Sequence, residues 1–482
     1  MASEKQSLQT KNPSAAAKQD GEFKKQLSPL DVWSLALGCI IGWCAFVMPG
    51  YTFLGTAGTV GTFIALTLGA IVMIIIALNF HYMISSNPVS GGGYVYAKRA
   101  FGETHGFICA WFLVLSFLSV VPMNATALGL VGRNLTGNLF QFGFHYVFAG
   151  YDIYMGELML GLFVLLLFGL LGVKGAKDSG SSQTVLALAL VFGVAIFVIA
   201  AVVSSKASWA HIITPPFASE SNKLGGVLCV LALTPWAFFG FDTIPQVAEE
   251  YNFSPTKARQ LMILSIIFGG LIYVSLNTVT ASVLPDGYAT YLEYVDDVHN
   301  NSGLLSLPTF FAAYKLMGNI GLVLLVIAVC GSILSGINGF YMATSRLLYA
   351  MAKEKALPAW FGKLSSKRGT PCNAILFIML ISMIAPFFGR TALGWIVDMS
   401  SIGAAISFAY TCGASLKKAL AEKANFFIVN SIRGLIFSVI FVLLLLIPYE
   451  PLGCSLGKES MICLVAWVIL GIFFYCKQIL HK

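Results

Sequence analysis

The sequence is poor in charged residues. Lys, Arg, Asp and Glu together make up 10% of its 482 residues, against about 25% in an average globular protein. Hydrophobic residues make up 57%, and the mean hydropathy is +0.82. This composition indicates a polytopic membrane protein. The net charge of +8 is spread between apolar runs instead of forming one basic patch, so we expect no nucleic-acid partner.

The chain also lacks the motifs of enzymes and metalloproteins. Its ten cysteines are scattered, mostly within apolar runs, without metal-ligand spacing and without a paired framework. We therefore interpret them as small hydrophobic residues. No nucleotide-binding loop and no nucleophile–base pair stands out, so we expect no cofactor, no metal and no enzymatic activity. The first 25 residues hold five lysines and no apolar core, which argues against a cleavable signal peptide and predicts a disordered tail.

Twelve apolar windows of about 20 residues predict an all-α fold with twelve membrane-spanning helices. In chain order they lie near residues 31–50, 58–84, 106–132, 154–173, 184–204, 226–248, 260–284, 315–350, 374–389, 393–415, 430–448 and 459–477. The eighth window is overlong, and we expect its last two turns, from about Arg346, to project into water.

The distribution of lysine and arginine predicts the orientation of these spans. With a cytoplasmic N-terminus, 23 of the 29 basic residues lie on the cytoplasmic side, as the positive-inside rule requires. We therefore predict a protein of the cell membrane with both termini in the cytoplasm. The six basic residues on the predicted external side are Arg133, Lys206, Lys223, Lys315, Arg390 and Lys458.

Two spans are interrupted near their middle, span one within Gly38–Gly50 and span six within Pro235–Pro245. An unpaired backbone group in lipid costs several kcal/mol, so such breaks are tolerated where they are buried in protein or line a cavity. Paired breaks in matching positions of two halves are typical of the binding site of a secondary transporter.

The span order predicts a five-plus-five inverted repeat, because each break then falls in the first span of its half. The predicted organisation is a disordered tail at 1–27, a first repeat at 28–210, a second repeat at 211–418, and two extra helices at 419–482.

Each break offers two kinds of backbone group to a ligand. Free carbonyls near Ile40 and Ile41 suit a cation, and free N–H groups after Gly42, near Trp43–Phe46, suit a carboxylate. Span six repeats the pattern, with carbonyls at Trp236–Phe239 before Gly240. The alternative is helix packing, since Gly38 and Gly42 also form a Gly-x-x-x-Gly motif.

Several of these stretches resemble the amino acid–polyamine–organocation (APC) superfamily of transporters. The resembling stretches are Gly38–Phe46, Pro88–Tyr96, Trp236–Asp242, Ser345–Pro358 and Val397–Gly403, and the match runs in order from about residue 28 to 415. The resemblance implies alternating access, with the substrate held between spans one and six.

Carried over by position, the resemblance implies roles for individual backbone groups. The substrate carboxylate meets the backbone of Trp43 and Cys44, and its ammonium meets the carbonyls of Ile40, Trp236 and Phe239. Trp236 also occupies the position of an aromatic gate. This chain departs from the family at Gly42-Trp43-Cys44, where the family has Gly-Ser-Gly. Trp43 either narrows the pocket or points outward into packing.

Other polar residues in or near the spans have two interpretations each. Asp242 caps the second half of span six, couples transport to protons, or does both. Ser332 and Ser335 supply oxygen to a sodium site near Ile40 and Ile41, or bond their own helix. Glu249 and Glu250, which precede Lys257 and Arg259, form an inner-gate ion-pair region or a solvated loop. Ser116, Ser119 and Asn124 line a side-chain pocket or join helices.

The sequence thus predicts a secondary transporter of an amino acid or related amine. Aromatic and apolar groups near the breaks favour a neutral substrate over a dibasic one. The expected partners are this small molecule, the lipid bilayer, and a coupling proton, sodium ion or exchanged substrate. Two alternatives are a non-transporting sensor with a transporter-like fold and a polyamine or amine exchanger.

Overall fold

The computed structural model describes residues 23–448 and 454–480. Within those ranges, ten apolar helical stretches are long enough to cross a membrane. In chain order the α-helices are α1 (Pro29–Ile41), α2 (Cys44–Met48), α3 (Leu54–Ser86), α4 (Gly93–Phe101), α5 (Glu103–Thr136), α6 (Met155–Lys174), α7 (Ala176–Val203), α8 (Lys223–Ala232), α9 (Thr234–Ala237), α10 (Ala258–Ala281), α11 (Tyr291–Asp296), α12 (Pro308–Lys353), α13 (Cys372–Ile384), α14 (Gly389–Glu422), α15 (Asn425–Leu446) and α16 (Lys458–Leu480).

The protein is therefore a nearly all-helical, multi-pass membrane protein. The exception is an antiparallel hairpin between α5 and α6, formed by β1 (His145–Phe148) and β2 (Tyr151–Tyr154). Two of the ten stretches, Pro29–Ser86 and Cys372–Glu422, each contain two of the windows predicted from hydropathy.

Local sequence explains where span one begins and breaks. Ser28 and Asp31 form a capping box at the start of α1, in which the Ser28 N–H donates to Asp31 Oδ2 at 3.0 Å. The helix ends at Ile41, and Gly42 has φ +46° and ψ −148°, a conformation that a side chain would disfavour. Helix α2 resumes at Cys44, and a π-helical turn over Pro49–Phe53 follows it.

Span six breaks in a different way. Helices α8 and α9 are followed by Gly240, which has φ +149°, and then by a 3-10 segment over Phe241–Glu250. A Cβ atom on Gly240 would lie 2.6 Å from the backbone nitrogen of Ile40. The two breaks therefore touch backbone to backbone, and no room exists for a side chain at this contact.

The C-terminal end of α12 differs from the sequence prediction. Arg346 does not project into water: its side chain is 1% exposed and pairs with Glu250. Residues 1–22 of the predicted tail lie outside the described residues, whereas Phe23 and Leu27 are buried. Leu27 forms a parallel bridge with Tyr251, so this short segment packs on the end of span six.

The cysteines also differ from the prediction that none of them pairs. Cys229 in α8 and Cys454 before α16 form a disulfide across 225 residues. The prediction was wrong because the partners lie far apart in sequence and one of them sits inside an apolar helix.

Candidate functional site

A small cavity lies where the two breaks meet. Its walls come from both broken spans and from α5, α10 and α12, and the lining residues are Cys39, Ile40, Ile41, Gly42, Trp43, Cys44, Val120, Asn124, Trp236, Phe239, Tyr273 and Phe340. The space open to the centre of a water molecule is about 20 Å³, enough for about one water. Seven of the eight residues predicted to bind substrate line this cavity, and Gly240 packs behind it on Ile40.

Two hydroxyl groups hold the carbonyls at the first break. Tyr273 Oη donates to the Ile40 carbonyl at 3.0 Å, and Ser332 Oγ donates to the Gly42 carbonyl. Each carbonyl oxygen keeps a second lone pair for another donor. Sequence reasoning missed Tyr273, since a single tyrosine in an apolar span carries no motif.

The start of α2 presents backbone N–H groups beside the cavity. Within the described residues no side chain caps α2, and the Phe46 N–H bonds the Trp43 carbonyl at 3.2 Å. The N–H groups of Cys44 and Ala45 lie in the first turn of α2, where no preceding helical carbonyl is available to accept from them. This is the arrangement that suits a carboxylate.

Asn124 is the polar side chain of α5 that reaches the break. It is 1% exposed, and its Nδ2 donates to the Val120 carbonyl at 3.0 Å. Its Oδ1 is buried and has no hydrogen-bond partner among the described residues. A Cβ atom on Gly42 would lie 3.2 Å from this oxygen. Asn124 therefore offers an acceptor directly beside the break.

Ser116 and Ser119, also predicted as pocket residues, do not line this cavity. The Ser116 hydroxyl donates to the Ser400 carbonyl at 2.7 Å and so joins α5 to α14. The Ser119 hydroxyl donates to the Ser116 carbonyl at 3.2 Å, within its own helix.

Trp43 has an aromatic or cationic neighbour in two directions. Its ring centroid lies 6.1 Å from that of Trp236, and the Arg390 guanidinium carbon lies 4.2 Å from the Trp43 centroid. Trp43 is 7% exposed and also lines the cavity. The indole therefore lines the cavity on one side and packs against a cation on another. Sequence reasoning did not predict this role for Arg390, which it used only as one of the basic residues on the predicted external side.

Asp242 lies behind the second break. It is 1% exposed, and its Oδ1 accepts a hydrogen bond from the Gly240 N–H at 3.1 Å. Its Oδ2 is buried and has no partner among the described residues. The carboxyl group thus bonds the glycine at the break through Oδ1, and Oδ2 can accept a proton or a further hydrogen bond.

The predicted ion-site serines contact different groups. Ser332 bonds Gly42, as described, whereas Ser335 Oγ accepts from Gln183 Nε2 at 2.5 Å. The same Nε2 donates to the Ser34 carbonyl at 3.2 Å, and Gln183 Oε1 accepts from Asn338 at 2.9 Å. The amide of Gln183 is therefore a donor held between two oxygens beside α1. The fifth apolar window was drawn from residue 184, so sequence reasoning missed it.

The two predicted inner-gate acids have separate contacts. Both Glu250 oxygens bind Arg346, at 2.6 and 3.0 Å, rather than Lys257 or Arg259. The Glu249 Oε1 accepts from the Ser90 N–H at 2.9 Å, in the turn that precedes α4. The N–H groups of Gln26 and Leu27 donate to the Glu250 carbonyl at 2.9 and 3.0 Å.

Comparison with known proteins identifies relatives over most of the chain. It is 26% identical over 404 residues to the branched-chain amino acid permease BcaP of Lactococcus lactis, which covers 81% of each chain. It is 25% identical to the serine/threonine exchanger SteT of Bacillus subtilis, covering 76% of this chain and 77% of SteT. It is also 25% identical to the vacuolar cationic amino acid transporter 4 of Arabidopsis thaliana, covering 81% of this chain and 63% of that protein.

All three relatives are named for amino acids, but the names specify different classes of side chain. The family model described as amino acid permease matches residues 27–474. The match covers both broken spans, the cavity between them and the helices that surround it. The chain therefore belongs to the amino acid permease family of the APC superfamily.

Proposed function

We propose that the protein is a secondary transporter that moves a neutral amino acid, or a related amine, by alternating access. The observation that carries this proposal is the cavity built by the backbone of both breaks and lined, among the described residues, without a charged side chain. A dibasic substrate would bring a second positive charge that this lining does not balance. The names of BcaP and SteT agree with a neutral substrate, whereas the name of the Arabidopsis relative specifies a cationic one.

In this proposal backbone groups hold both charged ends of the substrate. The N–H groups of Trp43 and Cys44 bind the carboxylate, and the carbonyls of Ile40, Trp236 and Phe239 bind the ammonium with Asn124 Oδ1. A cavity of about 20 Å³ is too small for an amino acid. Binding therefore requires Trp43 or Trp236 to move, which assigns the aromatic pair the role of a gate.

We propose twelve spans in two inverted repeats, 28–210 and 211–418, followed by two further helices. The Pro29–Ser86 stretch has 58 residues, about 87 Å as a straight helix, and Cys372–Glu422 is broken at Gly389, which has φ +75°. Each stretch is long enough for two crossings of a core about 30 Å thick.

The disulfide supports the proposed orientation in a cell membrane. Cys229 and Cys454 both fall near the predicted external side, and disulfides persist in oxidising compartments. An impermeant maleimide applied to intact cells should label this pair only after reduction. Labelling that requires permeabilised cells would contradict the orientation.

We propose that a proton, bound at Asp242 Oδ2, couples transport. A buried carboxyl oxygen without a partner is a costly arrangement that functional sites retain. The Gln183 amide donates to Ser335 Oγ and to the Ser34 carbonyl, so one of the two serines predicted for a sodium site already accepts a hydrogen bond from the protein.

Counterflow in proteoliposomes tests the proposal. The full chain is reconstituted and offered labelled amino acids and amines, with and without sodium or proton gradients. We expect uptake of a neutral amino acid that a proton gradient increases and sodium does not. The narrow cavity favours one rival, a sensor, which would bind a ligand without flux. Binding without uptake by folded protein would establish that rival instead.

A further inference from the structure

Arg390 lies at the start of α14 with part of its charge unmatched. Its Nη1 donates to Thr126 Oγ1 at 3.4 Å, and its guanidinium carbon lies 4.2 Å from the Trp43 ring centroid. Its Nη2 is buried and has no hydrogen-bond partner among the described residues. Across residues 23–448 and 454–480, no carboxylate oxygen lies within 4.0 Å of an Arg390 nitrogen.

A second small cavity, of about 20 Å³, opens beside this guanidinium, and Thr126, Tyr151, Glu157 and Arg390 are among its lining residues. Glu157 is the carboxylate of this cavity, but both of its oxygens bind Arg133, at 2.8 and 2.6 Å. Glu157 is therefore occupied by Arg133 and does not pair with Arg390. The pocket has one uncompensated positive charge, and a buried unpaired charge is costly.

We propose that this pocket is an outer carboxylate subsite for the transported substrate. The carboxylate of an amino acid arriving from the predicted external side binds the Arg390 guanidinium and restores charge balance, which requires this cavity of about 20 Å³ to widen. Arginine suits this role because its planar fork bonds a carboxylate through two parallel N–H groups. The inference rests on the proposed function and adds a second binding step to it.

The position of Trp43 connects this subsite to the central cavity. The indole contacts Arg390, lies 6.1 Å from Trp236, and lines the central cavity. The indole stacks on the face of the guanidinium, which leaves the in-plane N–H groups to a carboxylate. A carboxylate that draws the guanidinium toward it shifts the contact with Trp43, and this shift links substrate arrival to opening of the central cavity.

Side-resolved transport kinetics test the proposal on the full chain. Right-side-out and inside-out membrane vesicles measure the KM for amino acid on each face, for wild type, Arg390→Gln and Arg390→Lys. We expect Arg390→Gln to raise the external KM about tenfold or more, with an unchanged internal KM. Arg390→Lys should recover part of the loss. Lys315→Gln, which removes another predicted external cation that pairs with Asp286, should leave both constants unchanged.

A carboxyl-blocked competitor separates carboxylate binding from packing. The amide of the same amino acid should inhibit wild type and Arg390→Gln equally, since it has no carboxylate for Arg390 to bind. If Arg390→Gln weakens the amide as much as the acid, or leaves the external KM unchanged, the subsite is disproved. Absence of exchange by wild type would overturn the proposed function and this inference with it. If Arg390→Gln does not elute as a folded protein in size-exclusion chromatography, the same comparison of the acid with its amide is made in Arg390→Lys. An equal loss of affinity for both ligands in that variant would disprove the subsite.

Discussion

Glu250 and Arg346 form a bidentate ion pair, with N–O distances of 2.6 and 3.0 Å, in which each side chain is 1% exposed. The pair joins the 3-10 segment of span six to α12. Phe23 adds a cation–π contact, with the guanidinium carbon 5.8 Å from its ring centroid. Removal of one partner from a buried pair leaves an uncompensated charge, at a cost of about 3–5 kcal/mol.

Glu250→Gln should therefore lower the free energy of unfolding by roughly that amount. The measurement is thermal or denaturant unfolding of the purified protein in detergent. Asp286→Asn is the matched control, because Asp286 pairs with Lys315 at 3.4 Å but is 98% exposed. Its loss should not change stability measurably. Equal effects of the two substitutions would show that the Glu250 pair is not desolvated.

Gly240→Ala should abolish transport, because its Cβ would lie 2.6 Å from the Ile40 nitrogen and its φ of +149° disfavours a side chain. The backbone strain alone costs about 1–2 kcal/mol, and the clash pushes the two breaks apart. Gly287→Ala isolates the strain, since Gly287 has φ +99° and a Cβ there would meet nothing within 4 Å. Exchange rates and unfolding midpoints of both variants check this. Near-normal exchange by Gly240→Ala would contradict the close contact of the breaks.

Trp43→Ser, alone or with Cys44→Gly, should extend the substrate range to larger side chains. The indole lines a cavity of about 20 Å³, so its removal enlarges the space available to the substrate. Competition by a series of amino acids of increasing size measures the change. Trp33→Ser is the control: Trp33 packs on Phe268, with ring centroids 5.3 Å apart, and does not line the cavity. An unchanged range in Trp43→Ser would assign the indole to packing alone.

Asp242→Asn should uncouple transport from protons. The asparagine can still accept from the Gly240 N–H but binds no proton at the position of Oδ2. Exchange in both directions should persist, whereas accumulation driven by an inward proton gradient should disappear. Asp398→Asn is the control, because Asp398 accepts from Ser460 whereas Asp242 accepts from Gly240 at the break. Proton-driven accumulation by Asp242→Asn would leave Asp242 with the capping role only.

Hydropathy and glycine placement sufficed to predict the helical fold and the positions of both breaks. The break at Gly42 was predictable because a glycine interrupts an apolar run, and the structure gives it φ +46°. The same reasoning placed Ile40–Cys44 with Trp236 and Phe239, which line one cavity. These features depend on local sequence, because each membrane-spanning segment must satisfy its own backbone hydrogen bonds in lipid.

Long-range pairs were not predictable in the same way. Glu250 lies 96 residues from Arg346, and Gln183 lies 152 residues from Ser335. Each of these residues has other polar residues close to it in sequence. Only the packing of the helices determines which polar residue becomes its partner. Arg390 was identified as a predicted external cation, but its contact with Trp43 depends on how the start of α14 packs beside the first break.

The buried segment from Phe23 to Leu27 affects how the protein should be prepared. Phe23 contacts Arg346 and Tyr349, and Leu27 bridges Tyr251, so this segment belongs to the packing around the Glu250 pair. A bulky fusion domain placed directly before Phe23 would press against this packing. Expression plasmids that carry the tag after α16 avoid this, and kinetic constants from the two designs should not be pooled.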